Sequence, residues 1–409
     1  MINRDVYMKT LMEFKDKKVI KIVTGIRRSG KSTLLQLLAN KLEMDGISSE
    51  RIIHMNFESL RYAHIKGYMD LYQEIKGKVA KHDKTYIILD EIQMISQWER
   101  AINSLLVDFD VDIYITGSNA YLLSSELSTL LSGRYVEIKM LPLSFREFLD
   151  FNEFDIEISM DEKFQIYLKY GGMPAVSEYN FNQQRIFDML EGIYSTVILK
   201  DVFERNKFTD QVMLRKIVLF LADNVGSICS PNRIGNYLIH EGNIDNNTKK
   251  KNPASKTVEN YILALQNAFI FYGIKRYDIK GKLHLKTLGK YYIIDTGIRN
   301  MLLGFRDVDR GYILENVVYF ELLRRGYKVS IGKLGEMEID FIAENPDNKI
   351  YYQVTESLLD ITVRERELAP LRNIPDNYEK IVLSMDKNFI KSDEGIKLIN
   401  IIDFLLEKI

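Results

Sequence analysis

Residues 25–32 read Gly25-Ile26-Arg27-Arg28-Ser29-Gly30-Lys31-Ser32, two glycines around four residues, then a lysine and a hydroxyl. A loop of this kind wraps backbone N–H groups around an anion, and it works only between a strand and the start of a helix. The flanks meet that demand. Val19-Ile20-Lys21-Ile22-Val23-Thr24 is a β-branched run that reads as a strand, and Leu34, Leu35, Leu37, Leu38 and Leu42 recur at helical spacing. The expected ligand is ATP with Mg2+, because the glycines permit the wrap and the helix dipole adds to the attraction. Gly25, Ile26, Arg27, Arg28, Ser29, Gly30, Lys31, Ser32 and Thr33 would then line the phosphates. Lys31 reaches the β- and γ-phosphates, and the Ser32 hydroxyl ligates the metal. Arg27 and Arg28 are unusual in such a loop; each either contacts phosphate or stays solvated. The bland alternative is a Gly-rich turn ahead of a helix.

Tyr86-Ile87-Ile88-Leu89-Asp90-Glu91 is an apolar strand that ends in two carboxylates. Ligands of parallel sheets collect at the carboxyl ends of strands, so Asp90 is expected to hold Mg2+ and Glu91 to polarise the attacking water as general base. An acidic turn is the alternative. A third strand, Asp112 to Thr116, runs into Gly117-Ser118-Asn119. Lying between the two motifs, it makes Ser118 and Asn119 candidates for touching the γ-phosphate or positioning water, against an ordinary turn that caps the next helix. Arg134 precedes another strand, Tyr135 to Lys139, and is either an arginine finger, in cis or across a subunit interface, or one half of a surface salt bridge. Further elements are expected at Arg51–Phe57 (strand), near Asp70–His82 and near Gln97–Asp108 (helices). Together these pieces predict a doubly wound α/β domain over residues 1–150, a P-loop NTPase of the additional-strand, catalytic-Glu type.

Ser132-Gly133-Arg134 is followed by Leu141-Pro142-Leu143-Ser144-Phe145-Arg146-Glu147-Phe148, then Tyr170-Gly171-Gly172-Met173-Pro174, then Lys290-Tyr291-Tyr292-Ile293-Ile294-Asp295-Thr296-Gly297-Ile298-Arg299-Asn300. In these segments the chain resembles the bacterial and archaeal AAA-like ATPases that carry a C-terminal domain of unknown function. The similarity covers nearly the whole chain. It implies an AAA+-like core that binds and hydrolyses ATP.

Residues 151–210 are rich in Phe, Tyr and Ile at helical spacing and read as a helical lid or connector, with Gly171-Gly172 and Pro174 as a hinge. Tyr194 to Phe208 reads as an amphipathic helix whose Lys200, Asp201 and Arg205 form a solvated face. Over 211–300 the pattern predicts a helix around Leu214 to Leu221, a second opened by Ser230-Pro231-Asn232, a polar stretch at 242–252 and a third helix from Ser255. A hairpin follows, Phe271 to Tyr277 and Leu283 to Leu288. Three helices and a hairpin in that order resemble a winged helix-turn-helix. Lys249, Lys250, Lys251, Lys256, Lys275, Arg276, Lys280, Lys282, Lys286 and Lys290 make this the one basic concentration in a chain of net charge −1. Such a surface suits salt-sensitive binding of double-stranded DNA, or it simply solubilises a protein-packing module.

Residues 301–409 place Glu315 on an apolar helix, Glu338 and Asp340 on a strand, and Gln353 and Thr355 on the next. That order resembles the PD-(D/E)xK nuclease fold, whose active members bind Mg2+ on carboxylates. Gln353 stands where the second carboxylate belongs and Thr355 replaces the lysine, so the expectation is a degenerate, non-cleaving domain. None of His54, His64, His82, His240 and His284 pairs at metal-ligand spacing.

Composition closes off other classes. The single cysteine, Cys229, excludes an internal disulfide and points to a reducing compartment, hence to the cytoplasm. No apolar run approaches the roughly 18 residues of a membrane helix, and Met1-Ile2-Asn3-Arg4-Asp5 lacks the apolar core of a secretory signal. The leading expectation is an ATPase that couples nucleotide state to DNA binding or remodelling. The alternatives are a nucleotide-dependent switch acting on a protein partner or within a homo-oligomer, and an active Mg-dependent nuclease built on Asp340.

Overall fold

The computed structural model describes residues 4–80, 82–120, 130–131, 133–240, 255–387 and 390–407. Ser132, Lys249, Lys250 and Lys251 lie outside the described residues, as does the whole polar stretch 242–252. The chain divides into two compact units, one running to Pro142 with Asn267–Phe269, the other formed by Leu143–Gln266 and everything from Ile270.

In the first unit the order is α1 (Asp5–Glu13), β1 (Ile20–Thr24), α2 (Lys31–Met44), β2 (Ile52–Asn56), α3 (Tyr68–Lys76), β3 (Thr85–Asp90), α4 (Trp98–Asp108), β4 (Val111–Gly117) and β5 (Tyr135–Lys139). All five strands are parallel, in the order β2-β3-β4-β1-β5. Thus β4 separates the strand before the phosphate loop from the strand that ends in Asp90, as the additional-strand reading requires. Successive strand residues face opposite sides. Ile22, Ile87, Ile113 and Ile115 pack with α3 and α4 residues such as Leu71 and Ile102. Their neighbours Val23, Ile88 and Tyr114 pack on the other side with Leu34, Leu35, Leu38 and Leu42 of α2. This two-sided cover explains why β1, β3 and β4 are buried at every position. Each such aliphatic side chain stabilises the fold by about 1.5–3 kcal/mol, so the two apolar layers hold the sheet together.

One ion pair interrupts the apolar strands. Lys21 of β1 donates to Asp112 of β4, with both side chains buried, and the Tyr114 hydroxyl donates to the same carboxylate at 2.9 Å.

The second unit opens with α5 (Phe145–Phe151). Its start explains part of the Leu-Pro-Leu-Ser-Phe-Arg-Glu-Phe motif. Ser144 and Glu147 form a capping box, the Glu147 N–H donating to Ser144 Oγ at 3.1 Å and the Ser144 N–H to Glu147 Oε2 at 2.9 Å. Next come α6 (Met160–Tyr170) and α7 (Gln183–Thr196), which runs directly into a π-helical stretch, Val197–Glu204. Asp201 in that stretch is buried, so it does not belong to the solvated face expected there.

Then follow α8 (Gln211–Asp223), α9 (Pro231–His240), α10 (Ser255–Asn267), β6 (Phe271–Asp278) and β7 (Leu283–Ile293), the expected three helices and hairpin. After α11 (Thr296–Leu303) come α12 (Arg310–Arg324), β8 (Lys328–Leu334), β9 (Met337–Glu344), β10 (Lys349–Val354), α13 (Ile361–Arg372), β11 (Glu379–Ser384), β12 (Ser392–Asp393), β13 (Ile396–Asn400) and α14 (Ile401–Leu406). Strands β8, β9 and β10 form an antiparallel meander, and β11 returns parallel to β10 after α13. The hairpin is continuous with this meander. Arg276 of β6 registers with Ile331 of β8, giving one eight-stranded sheet in the order β12-β13-β11-β10-β9-β8-β6-β7.

The Gly171-Gly172 pair, read from sequence as a hinge, is closely packed in the structure. A Cβ at Gly172 would come within 2.4 Å of the Leu143 carbonyl oxygen, and one at Gly171 within 2.2 Å of Asp295 Oδ1. Asp295 is buried, caps α11 through the Ile298 N–H at 3.0 Å and accepts the Gly172 N–H at 2.7 Å. The two motifs are thereby joined.

Candidate active site

The phosphate loop lies where β1 ends and α2 begins. Gly25 has φ +149°, and a Cβ there would sit 2.2 Å from the Met140 carbonyl oxygen, so backbone meets backbone at this point. Gly30 opens α2 with φ +101°, a left-handed conformation that favours glycine. Lys31 is buried and its Nζ donates to the Gly25 and Ile26 carbonyls, each at 2.9 Å. Ser32 and Thr33 are exposed on the first turn of α2. From below, the buried Arg4 guanidinium donates to Ser29 O at 3.2 Å and to Leu141 O at 3.0 Å, tying the loop to the segment after β5. Arg27 pairs with Glu58 at 3.3 Å, while Arg28 is exposed with φ +61°. Ser29 Oγ is buried and makes no hydrogen bond among the described residues. An orphaned hydroxyl inside a glycine-flanked loop at a helix start fits an oxygen-rich anion such as a nucleotide phosphate.

Asp90 ends β3, and both of its carboxylate oxygens are engaged. Asn56 at the end of β2 donates to Oδ2 at 2.8 Å, and the Thr116 hydroxyl of β4 donates to Oδ1. Glu91 follows at φ +56°, an uncommon conformation for a non-glycine residue and one that concentrates at functional sites. Its N–H donates to Thr116 Oγ1 at 2.9 Å, and its carboxylate accepts the Gln93 side-chain amide. The same amide lies 3.4 Å from Ser118 Oγ, while Gln93 Oε1 is buried without a hydrogen-bond partner among the described residues. Burial pushes the Glu91 carboxyl above its ordinary value; Lys31, the Gln93 amide and Arg27 pull the other way. Loop and carboxylates are therefore electrostatically joined.

Ser118 and Asn119 are buried at the end of β4. Arg134 is elsewhere. Strand β5 registers Tyr135 against Ile20, and the Ile20 N–H donates to the Arg134 carbonyl at 2.8 Å. The exposed Arg134 thus stands at the start of β1, a full strand length (five residues, roughly 16 Å) from the phosphate loop. A finger in cis is not available from that position.

Sequence reasoning missed four residues of this site: Arg4, Asn56, Gln93 and Thr116. Asn56 and Thr116 carried a signal, since each is a polar residue at the tip of an apolar strand.

A second charged cluster lies in the other unit. Lys290 of β7 is buried, although the sequence groups it with the exposed basic residues. Its Nζ lies 2.7 Å from Glu315 Oε1 of α12, 2.9 Å from Glu338 Oε1 and 3.5 Å from Asp340 Oδ1 of β9. The Tyr292 hydroxyl also donates to Glu315 Oε1, and the Val354 N–H donates to Asp340 Oδ2 at 2.9 Å. Gln353 accepts the Asp340 N–H at 3.3 Å and donates to Glu367 at 2.9 Å. Burial opposes the lysine charge, but Glu315, Asp340 and Glu338 outweigh it and raise the Lys290 pKa.

The sequence profile of the AAA domain matches residues 17–149, which contain the phosphate loop, Asp90, Glu91 and β4. A domain of unknown function, DUF8612, matches residues 161–309. An uncharacterised protein of Haemophilus influenzae is 42% identical over 100% of this chain and 99% of its own length. Another, from Methanocaldococcus jannaschii, is 30% identical over 98% of this chain and 88% of its own length. The solved structure of the Aeropyrum pernix ORC1 protein in complex with DNA aligns at a TM-score of 0.30 and 13% identity, over 76% of this chain and 94% of that one. The chain belongs to the family of these Haemophilus influenzae and Methanocaldococcus jannaschii proteins, and its N-terminal unit is an AAA-like P-loop domain.

Proposed function

We propose that this protein binds ATP with Mg2+, hydrolyses it, and uses the nucleotide state to control binding of double-stranded DNA. The observation that carries the hydrolytic reading is Glu91. It is buried, turned by a left-handed backbone, and within electrostatic reach of Lys31. A carboxyl with a raised pKa next to a phosphate cradle has the character of a general base. Lys31 takes up charge on the β- and γ-phosphates, and Gly25 to Thr33 supply backbone and side-chain donors. Ser32 would ligate Mg2+ directly and Asp90, whose oxygens already accept from Asn56 and Thr116, would hold it through water; the ion supplies neutralisation of phosphate charge. Ser118 and Asn119 are proposed to meet the γ-phosphate or its water. Arg134 would act only on nucleotide held by a second copy.

The DNA reading rests on Lys256, Lys275, Lys280 and Lys282, all exposed on α10 and the β6–β7 hairpin. We read α8 to β7 as a winged helix and α12 to β11 as a nuclease-like module that does not cleave. A second reading, a switch on a protein partner, is favoured by Leu199 (45% exposed) and Val212 (64% exposed) on an apolar groove between the π-helical stretch and α8.

The test is ATP turnover with and without double-stranded DNA at low and moderate salt. Stimulation that fades with salt, absent in Lys31→Ala, supports the DNA-coupled ATPase. Turnover indifferent to DNA, with no binding at low salt, supports the partner switch. No turnover under any condition overturns the hydrolytic reading.

A further inference from the structure

The arrangement of Glu315 on a helix and Asp340 on the second strand of a meander implies, by its resemblance to metal-dependent nucleases, a divalent cation on these carboxylates. The residues present do not fit one. A divalent cation needs carboxylate oxygens free at about 2.0–2.6 Å. Here the inward oxygens are already committed: Glu315 Oε1 to Lys290 and Tyr292, Glu338 Oε1 to Lys290, Asp340 Oδ1 to Lys290 and Asp340 Oδ2 to the Val354 N–H. Gln353 turns its oxygen to the Asp340 N–H and its amide to Glu367, so it offers neither charge nor a free ligand.

We infer that the Lys290 ammonium is the resident cation of this carboxylate cluster, occupying the place of a divalent metal and excluding one. The lysine comes from β7, the outer strand of the hairpin, while the acids come from α12 and β9. The ammonium therefore also locks the hairpin onto the meander. Entry of a metal would require Lys290 to leave its three partners while still charged, in a setting that includes Tyr292, Tyr319 and Phe341 packed together. An unpaired buried cation is strongly disfavoured there. The lock does not depend on ATP hydrolysis, and it gives the module a reason to be metal-free beyond the exchange of one carboxylate for Gln353.

The experiment is Mn2+ titration of the nucleotide-free 409-residue chain, followed by the EPR signal of free Mn2+. Four chains are compared: wild type, Glu338→Gln, Lys290→Met and the double variant. Wild type and Glu338→Gln should show the same Mn2+ binding. Lys290→Met should gain one Mn2+ per chain, at least tenfold tighter than any wild-type site, and its melting temperature should rise with Mn2+. The double variant should lose that gain. Two results overturn the inference: a wild-type Mn2+ site that Glu338→Gln weakens, or a folded Lys290→Met that gains nothing. Glu338 is the most exposed of the three acids, its side chain 29% accessible, so its variant is the one least prone to unfold. Should Lys290→Met fail to fold, the comparison of wild type with Glu338→Gln decides alone.

Discussion

The Gln93 side-chain amide donates to the Glu91 carboxylate, two residues back along one tight turn, while its own carbonyl oxygen is buried without a partner among the described residues. A hydrogen bond to the charged form of a carboxylate lowers its pKa. Gln93 therefore works alongside Lys31 against the burial that raises the Glu91 pKa.

Removing that amide sets a signed expectation. Glu91 is already raised by burial, so Gln93→Ala raises it further and the base is protonated at higher pH. The acidic limb of the turnover profile should move upward in pH, with ATP affinity unchanged. An unmoved limb would remove Gln93 from this positioning role.

Glu91→Gln keeps the shape of the side chain and removes the base. Nucleotide binding should persist, while hydrolysis falls by about 10²–10⁴-fold, the usual worth of a positioned general base. Normal turnover would take Glu91 out of that role.

Thr116→Val deletes the hydroxyl that donates to Asp90 and accepts from the Glu91 N–H. Leaving a buried group unsatisfied costs about 1–3 kcal/mol. Turnover of the folded variant should drop by at least about tenfold, a loss separate from that stability cost. The check is kcat beside a thermal melt, and an equal loss of both would mean a structural role only.

Asp112→Asn removes the carboxylate paired with the buried Lys21 ammonium and leaves it the Lys17 carbonyl at 3.3 Å. Breaking a buried pair by removing one partner costs about 3–5 kcal/mol, whereas replacing both with apolar residues is near neutral. Denaturant unfolding should show the loss in Asp112→Asn and its recovery in Lys21→Met/Asp112→Leu. A double variant as weak as the single would contradict the pair's role.

Asp295 supplies a pH signature. Burial lifts its carboxyl to about 6, against the opposing N–H groups of Gly172, Ile298, Gly297 and Met173. The native state then holds this proton more tightly than the unfolded chain does. Its stabilising contribution is complete below about pH 3.8 and is lost as pH rises to about 6, a difference of up to about 3 kcal/mol. Urea midpoints of wild type and Asp295→Asn should diverge across that window, wild type losing ground as pH rises; parallel profiles would rule the linkage out.

The strand, loop and helix at 19–44 were legible in the sequence because phosphate binding is done by the backbone of contiguous residues, whose types are dictated locally. The Asp90-Glu91 pair was legible for the same reason, as were the five strands of the first sheet, each a short apolar or β-branched run. The tertiary structure alone brought Asn56 and Thr116 onto Asp90, since parallel strand register joins residues 34 and 26 positions away. It also moved Arg134 to the far end of β1, because a parallel neighbour puts the residue before a strand at the wrong edge for the loop. Lys290 shows the limit most clearly. A row of lysines states charge but not direction, and only the pairing of β6 with both β7 and β8 turned this one from the solvent into three carboxylates.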